Sequence, residues 1–134
     1  MAVKKLEELL VYQRGEEMDD AVIDILARPR LQQDLRLHAQ IADASDSVLS
    51  NIAEGFEQPT DRAFARYLFI SKGSAAEIRA RLRRAQKRGY VAATDCVRAM
   101  ELAEEVKRMC VGLARYLLKS NRKDRGLGPE NPSE

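Results

Sequence analysis

The chain has 134 residues, 45% of them apolar, 33% charged and only 5% aromatic, with seven Gly and four Pro. That is enough for one compact domain, which buries roughly two thirds of its unfolded surface and needs neither metal nor disulfide, and it is too poor in turn formers for an all-β fold. The net charge of +2 hides an asymmetry: residues 1–61 carry 6 Lys/Arg against 13 Asp/Glu, residues 62–90 carry 9 against Glu77 alone, and residues 91–134 carry 8 against 7.

Four segments show a helical period, separated by short breaker signals. The first is predicted over about Val3 to Arg28, ending before Pro29, with the stripe Val11, Gly15, Met18, Val22, Ile25. The second is predicted over about Leu31 to Glu54, with Gly55 as its C-cap; its stripe is Leu31, Leu35, His38, Ala42, Ser45, Leu49, Ile52, Phe56. The third follows Pro59, with Thr60 or Asp61 as N-cap, and runs to about Arg88, where Gly89 stops it. Its stripe is Phe64, Leu68, Ser71, Ala75, Ile78, Leu82, Ala85. The fourth runs from about Thr94 to Lys119 on Cys96, Ala99, Ala103, Val106, Cys110, Leu113, Leu117.

Stripes that alternate spacings of three and four belong to helices packed nearly parallel, and short connections make neighbours antiparallel. The predicted fold is therefore all-α, an antiparallel up-down-up-down four-helix bundle over 1–120, with a disordered tail over 121–134 that is poor in apolar residues. Small seam residues such as Gly15, Ala42, Ser45, Ser71 and Ala75 allow close approach of helices. Ile41, Ala44, Val48, Ile70, Leu102 and Met109 fall beside the seams, a surplus that suits either a thick core or an oligomer interface.

No apolar run reaches the roughly 18 residues of a membrane span, and the N-terminus lacks the pattern of a signal peptide, so a cytoplasmic protein without membrane contact is expected. Cys96 and Cys110, on one helix, would stand about 21 Å apart and cannot bond to each other. His38, set in an apolar stripe, reads as a satisfied core histidine. No Ser-His-acid set, Gly-rich phosphate cradle or Glu-x-x-His pair is present, so no catalytic residue, metal or cofactor is expected.

Residues 47–55 read Ser-Val-Leu-Ser-Asn-Ile-Ala-Glu-Gly. They are followed by Gly73-Ser74-Ala75-Ala76-Glu77 and Lys87-Arg88-Gly89-Tyr90, and preceded by Leu10-Val11-Tyr12-Gln13-Arg14. Over about residues 9–118 this combination resembles the four-helix-bundle proteins first noticed as reading frames inside intervening sequences of bacterial 23S rRNA genes. The resemblance implies a ring-like homopentamer and kinship with the accessory bundle protein of diversity-generating retroelements, which works beside a reverse transcriptase on nucleic acid. The chain departs from the family's pattern at Asp43, where Arg often stands, and at Leu49, where Pro does. The first change removes positive charge from the second helix.

Two sets of polar residues are the candidate sites. On the third helix, Arg83, Arg84 and Lys87 point away from the apolar stripe and Arg79, Arg81 and Arg88 flank them. Arg forks onto phosphate oxygens, so this run suits a phosphate-tracking surface for RNA or DNA. It equally suits a solvated helix face, a cationic helix C-terminus that favours its own dipole, or pairing with the acidic first helix (Glu16, Glu17, Asp19, Asp20, Asp24) of the same or a neighbouring subunit. Ser47, Asn51 and Glu54, with Gly55, and Ser74 with Glu77 could line a small polar pocket, but read first as a structural polar motif that locks the register of the helices or joins subunits. The leading expectation is a non-enzymatic, oligomeric adaptor associated with RNA. The alternative is a structural homo-oligomer that binds itself or another protein and no nucleic acid.

Overall fold

A computed structural model describes residues 3–120, and every regular element among them is helical. A single 3-10 turn at Leu6–Glu8 precedes α1 (Leu10–Leu26), α2 (Pro29–Gln33), α3 (Leu35–Phe56), α4 (Asp61–Lys87) and α5 (Ala93–Ser120). The expected tail, 121–134, lies outside the described residues.

The boundaries follow local chemistry. The first helix starts seven residues later than its apolar pattern suggests. The Glu8 carboxylate accepts the Lys4 and Lys5 N–H groups at 3.1 and 3.4 Å, which closes a separate turn. Leu9 is then extended (φ −80°, ψ 121°) and swings its side chain into the core. Pro29 opens α2 at a position where its missing N–H is not needed. Asp34 ends α2 and caps α3, its side chain accepting the Leu37 N–H at 3.1 Å. The Thr60 side chain caps α4 by accepting the Ala63 N–H at 3.1 Å, and Gly89 ends the turn after α4 at φ 77°, a left-handed conformation that suits a residue without Cβ.

The break at Asp34 corrects the second predicted helix, which is two elements. Leu35, expected in the core, is 77% exposed, and the buried arc of α3 is Leu37, Ile41, Ala44, Ser45, Val48, Ile52, Gly55 and Phe56. His38, Ala42 and Leu49 are only half-buried. Gly55 is not a C-cap either. It lies inside the last turn of α3, which ends at Phe56. The stripes predicted for α1 and α4 are buried throughout; in α5 only Leu113 is left half-buried, Ala114 taking the core position.

α1 and α4 each pack against both α3 and α5, and the core fills the space between these four helices. Ile41, Ala44, Val48 and Leu102, which looked surplus to a bundle seam, are core residues here; Met109 is half-buried and only Ile70 stays exposed. Most of the surplus is therefore core, and Ile70 is left on the surface. The exposed large apolar side chains, Leu10, Ile23, Leu35, Phe69, Ile70, Val97, Tyr116 and Leu118, are spread over all four long helices.

Close approach of α3 and α4 depends on small residues. A Cβ on Gly55 would stand 2.8 Å from Phe64 Cδ1 and 2.8 Å from Tyr67 Cβ. Phe56 and Phe64 meet edge to face beside it, with centroids 6.2 Å apart and planes at 80°. Gly112 of α5, by contrast, has open space around it. Gly55→Ala should therefore lower stability by roughly 1–3 kcal/mol through overpacking. Gly112→Ala should raise it by roughly 0.5–1 kcal/mol, because Ala is the better helix former. Urea titrations of the two variants followed by circular dichroism check both signs.

Candidate nucleic-acid interface

The basic run occupies the last third of α4, a helix held between Thr60 and Gly89. Ile78, Leu82 and Ala85 are fully buried, which turns the cations between them outward or towards neighbouring helices. Two of the three flanking cations reach beyond their own helix. Arg79 Nη1 donates to Glu104 Oε1 of α5 at 2.9 Å. Arg88 Nη1 donates to Asp34 Oδ2 at 2.8 Å. Arg81 Nη2 donates to Glu77 Oε2 on its own helix at 3.2 Å. Arg83, Arg84 and Lys87 are exposed and make no ion pair among the described residues. The six residues thus divide into three that carry internal pairs and three whose charge is left to solvent.

Two carboxylates organise this division. Glu104 takes Arg79, Lys107 and Arg108, at 2.9, 3.2 and 3.7 Å. The Lys107 hydrogen bond, helped by the nearby Arg79 and Arg108 charges, holds its carboxyl below the usual glutamate range. Asp34 accepts the Leu37 N–H, the Tyr90 hydroxyl at 2.8 Å and Arg88. These bonds, the backbone one foremost, lower its carboxyl too. Each carboxylate joins local partners (Leu37 for Asp34; Lys107 and Arg108 for Glu104) to arginines distant along the chain, and it is the distant pairs that the sequence does not show.

Arg81, Arg84 and Arg88 also line an open cleft of about 440 Å³ between α3 and α4, together with Asp34, Arg36, Leu37 and Gln40. Arg36 extends the basic surface onto α3. Its place next to the cap at Asp34 is the signal that would have found it.

The polar motif is only partly assembled. Ser47 Oγ and Ser74 Oγ bond at 2.7 Å across α3 and α4, and Asn51 Nδ2 donates to both the Ser47 carbonyl (2.8 Å) and its hydroxyl (3.0 Å). Glu54 and Glu77 are exposed and outside this cluster, and Asn51 does not reach the turn after Gly55. Ser71 Oγ donates to the Val48 carbonyl and Ser45 Oγ to Asp19 Oδ1, both at 2.7 Å, so α3 is tied by hydroxyls to α4 and α1. His38 Nε2 stands 3.0 Å from the Leu26 carbonyl, which can only accept, so Nε2 is the donor and the ring is satisfied there. Cys110 is buried, and burial pushes its thiol up to about 12, where it is inert at neutral pH.

Among the described residues no three His, Cys, Asp or Glu side chains gather to hold a metal ion, and no helix is long and apolar enough to cross a membrane. The family model of the 23S rRNA-intervening sequence protein matches residues 7–112, from the 3-10 turn into the second half of α5. The chain belongs to this family. A comparison with curated proteins returns no match. The family match spans both candidate sites, the cleft and the Asp34 cap.

Asp34 gives these observations a pH signature. Its folded-state carboxyl lies below the ordinary value of about 3.9, so its stabilisation is complete above that value and is lost as pH falls through the lowered one. Asp34→Asn should melt earlier than the parent at pH 7, and the gap should close as pH drops below about 4. Melting curves of both proteins from pH 7 to pH 2.5 check this.

Proposed function

We propose that this chain is a non-enzymatic adaptor that associates with RNA through the C-terminal end of α4, and that it works as a homo-oligomer. The carrying observation is that Arg83, Arg84 and Lys87 are exposed and make no ion pair among the described residues, while the flanking arginines have their partners within the chain. Charges left free at one helix end neutralise backbone phosphates with little reading of bases. No aromatic side chains interleave with them, which suits a surface that follows the phosphate backbone rather than stacking single-stranded bases.

The architecture proposed for it is the antiparallel four-helix bundle. The cross-links between helices support this topology. Arg14 reaches Glu105 while Arg28 reaches Asp95, and Ser47 reaches Ser74 while Asp34 reaches Arg88; in each pair of contacts one residue number rises as the other falls. An exposed line of Phe69, Gly73, Ala76 and Ala80 on α4 supports self-association, since small residues at spacings of three and four admit a second helix closely. The ring of five that the family resemblance implies is part of this proposal.

A second reading is favoured by α1. Glu17, Asp20, Asp24 and Asp95 line an open cleft between α1 and α5 that holds only Arg28 and Arg98 as cations. In this reading the basic end of α4 docks on the acidic cleft of a neighbouring subunit and no nucleic acid is bound.

The triple reversal Arg83→Glu, Arg84→Glu, Lys87→Glu separates the two. The RNA reading expects loss of binding to a labelled structured RNA, with helical content and subunit number unchanged. It also expects the parent's affinity to fall with salt at a log–log slope of roughly −2 to −3 for three phosphate contacts per subunit. Intact RNA binding in the variant overturns the assignment of this surface. Dissociation of the oligomer, in the variant or in high salt, supports the docking reading.

A further inference from the structure

The cleft between α3 and α4 adjoins the outward face of α4 and shares Arg84 with it. It is lined by four guanidinium groups, Arg36, Arg81, Arg84 and Arg88, against one carboxylate, Asp34. Asp34 is already engaged by the Leu37 N–H, Tyr90 and Arg88. Glu77 binds Arg81 from its own helix. Counting both carboxylates, two positive charges remain uncompensated. Arg36 and Arg84 make no ion pair among the described residues, and Arg81 Nε is buried without a hydrogen-bond partner. Gln40 adds an uncharged amide donor at the rim.

Gathering like charges around one opening costs Coulomb energy unless an anion sits there. A guanidinium offers five N–H donors in a planar fork that matches two phosphate oxygens at once. A phosphodiester passing along the α4 face brings one negative charge. A terminal phosphate brings nearly two, with three acceptor oxygens. The surplus of two positive charges in a recess suits the second.

We propose that this cleft binds one terminal phosphate group, a phosphomonoester, with Arg36, Arg81 and Arg84 as its ligands and with Arg88 held in place by Asp34. The proposal rests on the basic surface of the function proposed above and adds α3 to it through Arg36. The phosphate has two possible sources, the 5′ end of an RNA or a free phosphate compound.

The test uses the full chain and its Arg36→Gln variant, an exposed position that should leave folding intact. Melting curves with inorganic phosphate are compared with chloride at equal ionic strength and pH 7.5. Phosphate at ten times its Kd should raise the parent's Tm by roughly 4–6 °C. The variant should lose most of that shift. In parallel, the parent is titrated with two oligoribonucleotides of identical sequence, one 5′-phosphorylated and one ending in a 5′-hydroxyl. About tenfold tighter binding of the phosphorylated strand identifies an RNA end as the source. A phosphate shift without that preference identifies a free phosphate compound. No phosphate-specific shift together with equal affinity for both strands overturns the cleft assignment and leaves the RNA reading standing. An unchanged response in Arg36→Gln also overturns it. A phosphate shift with no RNA binding at all overturns the RNA reading instead and keeps the cleft.

Discussion

The bonds made by the Asp34 carboxylate constrain much of the rest. One oxygen ends a helix break by capping α3, and the other gathers Tyr90 and Arg88 from beyond the end of α4. The cap decides where α3 begins, and with it which residues face inward: Leu37 enters the core and Leu35 is left in solvent. The same group then draws the far end of α4 alongside the start of α3. The walls of the arginine-lined cleft meet there. A charged hydrogen-bond acceptor with three partners thus links backbone geometry, core composition and surface chemistry at one end of the molecule.

Packing elsewhere is governed by how closely helices approach. Gly55 admits Phe64 and Tyr67 against the backbone of α3, and the hydroxyls of Ser45, Ser71 and Ser74 fit where larger side chains would separate the helices. Each of these hydroxyls finds an acceptor or a second hydroxyl, so none of the three is left unsatisfied. Surface pairs such as Arg81 with Glu77 add little to stability, on the order of 0–1 kcal/mol each. Their effect is on distribution. They neutralise one side of the basic run and leave the other side charged.

Much of the fold was legible because its signals are local. The alternation of three and four in α1 and α4 marked their buried faces residue by residue, and Thr60 and Gly89 marked two ends of helices. The break at Asp34 was hidden. A five-residue helix after Pro29 continues the apolar pattern, and an Asp within such a pattern reads as a surface position until its bond to Leu37 is seen. Gly55 was visible as special but for the wrong reason, because its neighbour Phe64 arrives from another helix. The candidate site was half legible. Periodicity separated Arg83, Arg84 and Lys87 from their flanks, but no local rule pairs Arg79 with Glu104 or places Arg36 beside Arg84.

The positions of α1 and α4 have an electrical consequence. Both lean on α3 and α5, and one is rich in Asp and Glu while the other carries the excess of Arg and Lys. Charge separated between two helices in this way gives even a nearly neutral protein a dipole moment. In the field of a polyanion it experiences a torque before contact and turns its α4 side forward. Orientation of this sort increases the fraction of encounters that are productive. It fades as ionic strength shortens the reach of the field below the width of the molecule.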